Sequence, residues 1–215
     1  MQERAGDWLP QASALVDALL AADRETASWL LGGALTAGIP FTTTCVRLVE
    51  SAMYRIGELW EAGRCTVAQE QMATAVCQTV IARALMDCEA REPNGRRMLF
   101  ACVPGNQHSL GTRIVADAFE LDGYAVEFTG ADTPIDALVH AVAATRPDLV
   151  GLSVGLAQQR PAARRCIAAI REACGNRAPP MAVGGYGFSD VQHPTESVGA
   201  DLYFRDVEQA VKTLA

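Results

Sequence analysis

The sequence predicts an all-α segment followed by an α/β domain: an N-terminal four-helix bundle, then a five-stranded parallel sheet. Apolar residues recur at helical spacing through the first part of the chain. From residue 97 onward, short apolar runs alternate with helical segments, which is typical of a parallel sheet with helices on both faces. Between these parts, the run Arg-Glu-Pro-Asn-Gly-Arg at 91–96 has the composition of a linker. We therefore expect two domains, 1–91 and 97–215.

Four helical segments follow one another in the first domain, and recognisable signals separate them. Gly38-Ile39-Pro40 ends the second segment and Gly63 ends the third. Thr66 and Gln69 match a capping box, which would satisfy free backbone amides at the start of the fourth. Helices joined by such short links favour a four-helix bundle. The predicted helices cover 7–22, 25–35, 42–61 and a final segment from the Thr66 cap to about residue 90.

The second domain is expected to be Rossmann-like (flavodoxin-like). In such sheets, ligands bind beyond the carboxyl ends of the strands. Pro134 suits the first position of a helix, because its missing N–H has no helical partner there. The predicted strands are Met98–Val103, Tyr124–Phe128, Asp148–Val154, Met181–Val183 and Leu202–Phe204. The predicted helices are Leu110–Leu121, Pro134–Thr145, Pro161–Ala173 and Val207–Leu214.

Composition excludes several classes of protein. Half of the 215 residues are hydrophobic, which is incompatible with a wholly disordered chain. The net charge of −7 argues against direct nucleic-acid binding. No apolar run approaches the roughly 20 residues of a membrane span, and no signal-peptide core follows the polar N-terminus. The seven cysteines are irregularly spaced, so neither a disulfide framework nor a zinc site is expected. We expect a soluble cytoplasmic protein.

The loop after the first predicted strand carries an imidazole. It runs from Pro104 to Gly111 and is neither a dinucleotide-binding nor a Walker loop, since its glycines are differently spaced. His108 could ligate a metal, and Asn106 could accept a hydrogen bond from the other ring nitrogen. A structural hydrogen bond is the commoner role of a lone loop histidine.

Two further loops lie at the same predicted edge. Ser153 and Gly155 end the third strand, where they provide a hydroxyl and a flexible backbone. Gly184 and Gly185 end the fourth strand, and glycines there would let a flat or bulky ligand approach the backbone. Taken alone, each pair also fits ordinary turn chemistry.

In this order, the motifs resemble those of the cobalamin-binding domain. That family has DxHxxG after its first strand, a serine motif after the third and a GG pair after the fourth. The resemblance implies that His108 is the lower axial ligand of cobalt, displacing the nucleotide base of the cofactor. It also implies that Gly111 lets the nucleotide tail pass, that Ser153 hydrogen-bonds the displaced base, and that Gly184 and Gly185 flank the slot for that base. Asn106 stands where methyl-transfer and mutase relatives have Asp.

The helical segment resembles that of the CarH/LitR-type photoreceptors. Trp60 and Glu70, with nine residues between them, match the Trp-x9-Glu-His pattern of that family. The resemblance implies that the bundle covers the upper corrin face, where Trp60 caps the adenosyl group of adenosylcobalamin and Glu70 contacts it. Two family histidines are replaced, by Gln71 after Glu70 and by Glu61 after Trp60. We interpret Gln71 as a changed pocket residue.

All three histidines of the chain lie in the second domain. A photoproduct with one histidine from each domain of the same chain is therefore excluded. The family's MerR-type DNA-binding domain is expected to be absent. Two simpler roles stay open in the bundle: Trp60 as plain core, and Glu70 as a residue that complements the helix dipole.

The resemblance implies a sensor rather than an enzyme. A corrinoid, adenosylcobalamin in the first place, would be enclosed, and light would rearrange the helical cap. Signalling would then pass through a regulatory protein partner or through self-association, and we expect a homo-oligomer without direct nucleic-acid binding.

Three alternatives stay open. The first is a corrinoid protein that carries methyl groups for a methyltransferase system. The second is a photoreceptor for another tetrapyrrole, a bilin or haem, bound instead of cobalamin or alongside it. Cys65 would then be the first candidate for covalent attachment of a bilin. The third is an interaction scaffold that binds no ligand.

Overall fold

The computed structural model describes residues 9–214, with Leu9 described by its backbone alone. The chain divides into two compact units, and the division falls between Glu89 and Ala90. The first unit is helical, and the second is built on a parallel sheet. The predicted fold class is confirmed. Between residues 9 and 214, no helix is both long and apolar enough to cross a membrane.

The helical unit contains four helical stretches, as predicted. The third is continuous but changes type, because the π-helical segment Cys45–Glu50 interrupts it. The first predicted helix began at residue 7, which lies outside the described residues. The observed bounds are α1 Leu9–Leu20, α2 Arg24–Thr36, α3 Phe41–Thr44, α4 Ser51–Glu61 and α5 Val67–Met86.

Polar side chains begin two of these helices. The carboxylate of Asp23 accepts the amides of Glu25 and Thr26 at the start of α2. At α5 the predicted capping box is confirmed, because Thr66 accepts the amide of Gln69 at 3.2 Å and Gln69 accepts the amide of Thr66 at 2.9 Å. Such caps satisfy backbone donors that have no partner within the helix.

The helical unit buries an apolar stripe from each of its four stretches. Burial of an amphipathic face supplies most of the stability of short helices in proteins. Helices α1 and α2 can therefore form without a high intrinsic helix propensity. The largest or most deeply buried members are Leu15, Leu19, Ala27, Leu31, Leu48, Val49, Ile56, Ala73, Val76, Cys77 and Val80.

The second unit has five parallel strands in the order β2-β1-β3-β4-β5. All five were predicted, with ends that differ by one residue at most. The strands are β1 Arg97–Cys102, β2 Ala125–Phe128, β3 Leu149–Ser153, β4 Met181–Gly184 and β5 Leu202–Phe204. The helices are α6 Leu110–Leu121, α7 Ile135–Thr145, α8 Arg160–Cys174, α9 Pro194–Val198 and α10 Val207–Leu214.

Two details of the helices differ from the predictions. Pro134 is the residue that caps α7 rather than its first helical residue, because its ψ of 147° is extended. The five-residue helix α9 was not predicted, since it is too short to show helical periodicity.

The sheet is buried on both faces. One face packs against α7 and α8 through residues such as Leu99, Leu152 and Ile167. The other packs against α6 and α10 through residues such as Phe100, Phe119 and Ala210. Burial on both faces explains the continuous apolar runs of the central strands β1, β3 and β4, whereas the edge strands β2 and β5 remain partly exposed.

Candidate corrinoid site

Cys102, Ser153 and Gly184, the last residues of β1, β3 and β4, lie in register across the sheet. The loops that follow these strands therefore leave the sheet at the same level, which we call the carboxyl edge. The chain turns to one side after β1 to form β2, and to the other side to form β3. In sheets with this strand order, the crevice at the switch between β1 and β3 is where ligands bind.

The loop after β1 brings His108 to this crevice. Asn106 is fully buried and accepts the backbone amide of His108 on Oδ1 at 3.0 Å. Its Nδ2 donates to the carbonyl of Ser153 at 3.0 Å, which ties the loop to the end of β3. The imidazole residue itself is exposed. The predicted contact therefore differs in detail: the Asn106 oxygen accepts the main chain of His108, rather than a ring N–H.

Gly155 leaves space for the side chains of Asn106 and His108 because it has no Cβ. A Cβ on Gly155 would lie 2.6 Å from Oδ1 of Asn106 and 3.0 Å from Nδ1 of His108. The first distance is shorter than real Cβ contacts and the second is tighter than most of them, so a larger residue would crowd the loop. Gly155 is thus a neighbour of His108, and its contact with a ligand stays a prediction.

Cys102 supports the loop from within the unit. Its buried Sγ lies 3.8 Å from the carbonyl oxygen of His108 and 3.3 Å from Oγ1 of Thr112. Burial raises the pKa of the Cys102 thiol, although hydrogen bonds with Thr112 and Ser153 partly oppose the shift. At neutral pH this side chain is therefore a neutral thiol that contributes packing and a weak hydrogen bond.

Gly184 and Gly185 are required by their surroundings in the sheet. A Cβ on Gly184 would lie 2.7 Å from the carbonyl oxygen of Phe204. Gly185 has a φ of 102°, and a Cβ there would lie 2.5 Å from the carbonyl oxygen of Val154. The structure thus gives both glycines the turn and packing role that the sequence left open. Their contact with a ligand stays a prediction.

Gly111 differs from these glycines because its surroundings are open. It lies exposed in the first turn of α6, and nothing would lie within 4 Å of an added Cβ. The half-buried Ser153 lies at the end of β3, and its Oγ is 3.5 Å from Nδ2 of Asn106. An open helix start, a hydroxyl and an exposed imidazole fit a large ligand with a polar tail.

Sequence reasoning missed Asp132 as part of the site. Its carboxylate accepts the amide of Gly105 at 2.6 Å and Nε2 of Gln107 at 3.1 Å. Its own amide donates to the carbonyl of Asn106 at 2.9 Å. Asp132 follows β2, and only its place in the run Gly-Ala-Asp-Thr-Pro at 130–134 could have drawn attention to it. It holds the His108 loop from the side opposite β3.

In the helical unit, Trp60 and Glu70 flank one short connection. Trp60 lies in the last turn of α4 and is 48% exposed, so it is not a plain core residue. Glu70 lies half-buried in the first turn of α5 and accepts the hydroxyl of Thr74 at 3.1 Å. Gln71 is exposed beside it, whereas Cys65 is buried with its thiol 3.8 Å from the carbonyl of Ile56.

Family models decide the class of protein. The model of the B12 binding domain matches residues 96–215, and a second model of a B12 binding domain matches residues 11–85. The chain belongs to the B12-binding family. Its cofactor class is therefore a corrinoid, and the imidazole, hydroxyl and open helix start at the carboxyl edge fit that class.

Two kinds of relative are similar to this chain in sequence. The chain is 32% identical to the HTH-type transcriptional repressor CarH of Myxococcus xanthus, over 92% of this chain and 66% of that protein. It is 26% identical to dimethylamine corrinoid protein 1 of Methanosarcina acetivorans, over 75% of this chain and 76% of that protein. The chain spans between half and two thirds of the length of CarH and of the similar repressor CarA.

Among solved structures, the monomethylamine corrinoid protein of Methanosarcina barkeri has the same fold. The TM-score is 0.76 at 20% sequence identity, and the match covers 93% of this chain and 94% of that one.

Proposed function

We propose that the chain is a cobalamin-binding light sensor in which His108 is the lower axial ligand of cobalt. The observation that carries this proposal is the position of His108: its side chain is exposed at the β1/β3 crevice while its backbone is fixed by Asn106. An imidazole that is both fixed and accessible is suited to coordinate a metal held by a separate macrocycle. Adenosylcobalamin is the proposed form of the cofactor.

The remaining residues of the carboxyl edge would hold the rest of the ligand. Gly111 leaves the start of α6 open for the nucleotide tail, and the hydroxyl of Ser153 would hydrogen-bond the displaced base. Gly155 keeps the His108 loop in place, and Gly184 and Gly185 would border the slot of the base.

A bound adenosylcobalamin supplies a cobalt–carbon bond that visible light breaks. We propose that Trp60 shields the adenosyl group from water and that Glu70 hydrogen-bonds it in the dark. Both side chains retain accessible surface, which a ligand contact requires. Loss of the adenosyl group would remove these contacts, and the population of helical-unit conformations would shift accordingly.

The output of the proposed sensor is a change in protein association. The chain carries a net charge of −7, which favours a protein partner or a second copy over direct contact with nucleic acid. The helical unit has no histidine, because His108, His140 and His193 all lie beyond residue 97. After light removes the adenosyl group, no histidine from the helical unit of the same chain could therefore replace it on cobalt.

Illumination of the loaded protein tests this function. The chain is purified with adenosylcobalamin in the dark, and its absorption spectrum and sedimentation are recorded before and after green light. We expect a spectral change that differs from that of free cofactor, together with a changed sedimentation coefficient of the chain alone or with its partner. Bleaching identical to free cofactor, with unchanged sedimentation, would refute the sensor.

A corrinoid methyl carrier is the second candidate. It is supported by the similarity to the dimethylamine corrinoid protein, which extends through both units. Trp60 favours the sensor, because an indole that caps the cofactor, as proposed above, would obstruct a methyltransferase. Enzymatic transfer of a methyl group to the bound cobalt, undiminished by illumination, would establish the carrier instead.

A further inference from the structure

Gln159 is a buried polar residue in the short turn between β3 and α8. Its Oε1 accepts the backbone amides of Gly155 at 3.0 Å and Leu156 at 2.9 Å. Its Nε2 donates to the carbonyl of Gly105 at 2.7 Å. One side-chain amide thereby satisfies three backbone groups on two different loops.

Gln159 and Asn106 join the same two loops in opposite directions. The amide of Asn106 extends from the loop after β1 and donates to Ser153 at the end of β3. The amide of Gln159 extends from the loop after β3 and donates to Gly105, the residue before Asn106. His108 is carried by the segment between these attachments and α6. We call this pair of reciprocal contacts the amide clamp.

We propose that Gln159 is a positioning residue for His108, acting through Gly105 and Gly155. The proposal rests on the function proposed for His108 as a cobalt ligand. Because Gly155 has no Cβ, it leaves room for the side chains of Asn106 and His108. A contact that fixes the backbone of Gly155 therefore also fixes the surface against which the His108 loop packs. The hydrogen bonds of Gln159 go to Gly105, Gly155 and Leu156, so its effect on His108 would be transmitted through these backbone groups.

The geometry requires an amide at this position. An apolar side chain would remove three part-buried hydrogen bonds and leave two N–H donors and one carbonyl without this partner, and losing such partners away from bulk water is costly. A carboxylate would keep the acceptor for Gly155 and Leu156, but it would place an oxygen against the carbonyl of Gly105. Gln159→Met and Gln159→Glu therefore separate the acceptor contacts of Gln159 from its donor contact to Gly105.

The first test uses the protein without a corrinoid. Backbone hydrogen exchange is measured over 103–109 and 154–156 in the wild type and in both variants. We expect exchange in Gln159→Met to be about 10- to 100-fold faster in both segments, from the loss of three hydrogen bonds. In Gln159→Glu, the faster exchange should be confined to 103–109. Gln158→Met is the matched control, because Gln158 is its exposed neighbour in the same turn.

The second test measures the ligand of cobalt. The full chain is loaded with cobalamin, reduced to Co(II) and examined by electron paramagnetic resonance. We expect Gln159→Met to retain a folded protein, to bind cobalamin about 10-fold more weakly and to show a smaller fraction with histidine coordination. Gln158→Met should match the wild type in all three measurements.

Unchanged exchange in Gln159→Met would overturn the proposal, as would faster exchange with wild-type affinity and histidine coordination. A wild type that binds no cobalamin would refute the proposed function separately. In that case, the exchange measurement still decides whether Gln159 fixes the two loops.

Discussion

Replacement of Gly155 by alanine tests the construction of the site with a single methyl group. The added Cβ would lie 2.6 Å from Oδ1 of Asn106 and 3.0 Å from Nδ1 of His108. Ordinary van der Waals contact begins at 3.4 Å, so the loop has to move by about 0.8 Å. Gly155 does not have a left-handed φ, and the expected effect therefore arises from this contact rather than from backbone strain.

The cost of such overpacking is about 1–3 kcal/mol. Because the crowded groups belong to a loop at the carboxyl edge, we expect the loop to yield and His108 to leave its position. If this cost appears entirely in the binding free energy, the affinity for cobalamin should fall by about 5- to 150-fold.

The assay is a titration with adenosylcobalamin in the dark, followed by absorbance, with the melting temperature recorded for each variant. Gly33→Ala is the matched control, because Gly33 lies in α2 with nothing within 4 Å of an added Cβ. It should bind cobalamin like the wild type and gain about 0.5–1 kcal/mol of stability from the helical alanine. Wild-type affinity and spectrum in a folded Gly155→Ala variant would refute the argument.

Two further predictions concern other parts of the chain. Trp60→Ala should reduce the preference for adenosylcobalamin over methylcobalamin. Trp29→Ala is the control, because Trp29 is a tryptophan in α2 that is 73% exposed, and it should keep the preference of the wild type. Equal ratios of the two affinities in the wild type and both variants would exclude a capping role for Trp60. Burial raises the pKa of Asp117 above its ordinary value of 3.8 despite the ion pair with Arg113. Ionisation therefore destabilises the fold as the pH rises through the window above 3.8. The melting temperature of Asp117→Asn relative to the wild type should increase from pH 4 to pH 7, and a constant difference would contradict the assigned cause.

The centre of the sheet could be predicted from the sequence because β1, β3 and β4 are buried on both faces. The run Met98–Val103 is continuous and apolar, and no half-exposed strand would show that pattern. The capping box at Thr66 was equally readable, since both of its contacts are local. The π-helical segment Cys45–Glu50 was not readable, because no glycine or proline marks the change in hydrogen bonding.

The site could be predicted in outline, but its contacts could not. His108 stood out because it is one of only three histidines in the chain and lies in a loop that follows a predicted strand. The contact between Asn106 and the main chain of His108 depends on the local turn geometry, which residue spacing does not reveal. The link from Gln159 to the loop after β1 has no sequence signal, because its partner Gly105 lies 54 positions away and contributes a backbone group.

The most direct test of the account is the identity of the atom below cobalt. The chain is produced with nitrogen-15 in its histidines only, loaded with cobalamin of natural isotopic composition and reduced to Co(II). In the electron paramagnetic resonance spectrum, an axial nitrogen-14 splits the Co(II) lines into triplets and an axial nitrogen-15 splits them into doublets. We expect doublets in the labelled wild type, in His140→Gln and in His193→Gln. In His108→Ala we expect the doublets to be lost. An unchanged triplet would show that the base of the cofactor stays on cobalt, which would contradict the role of His108.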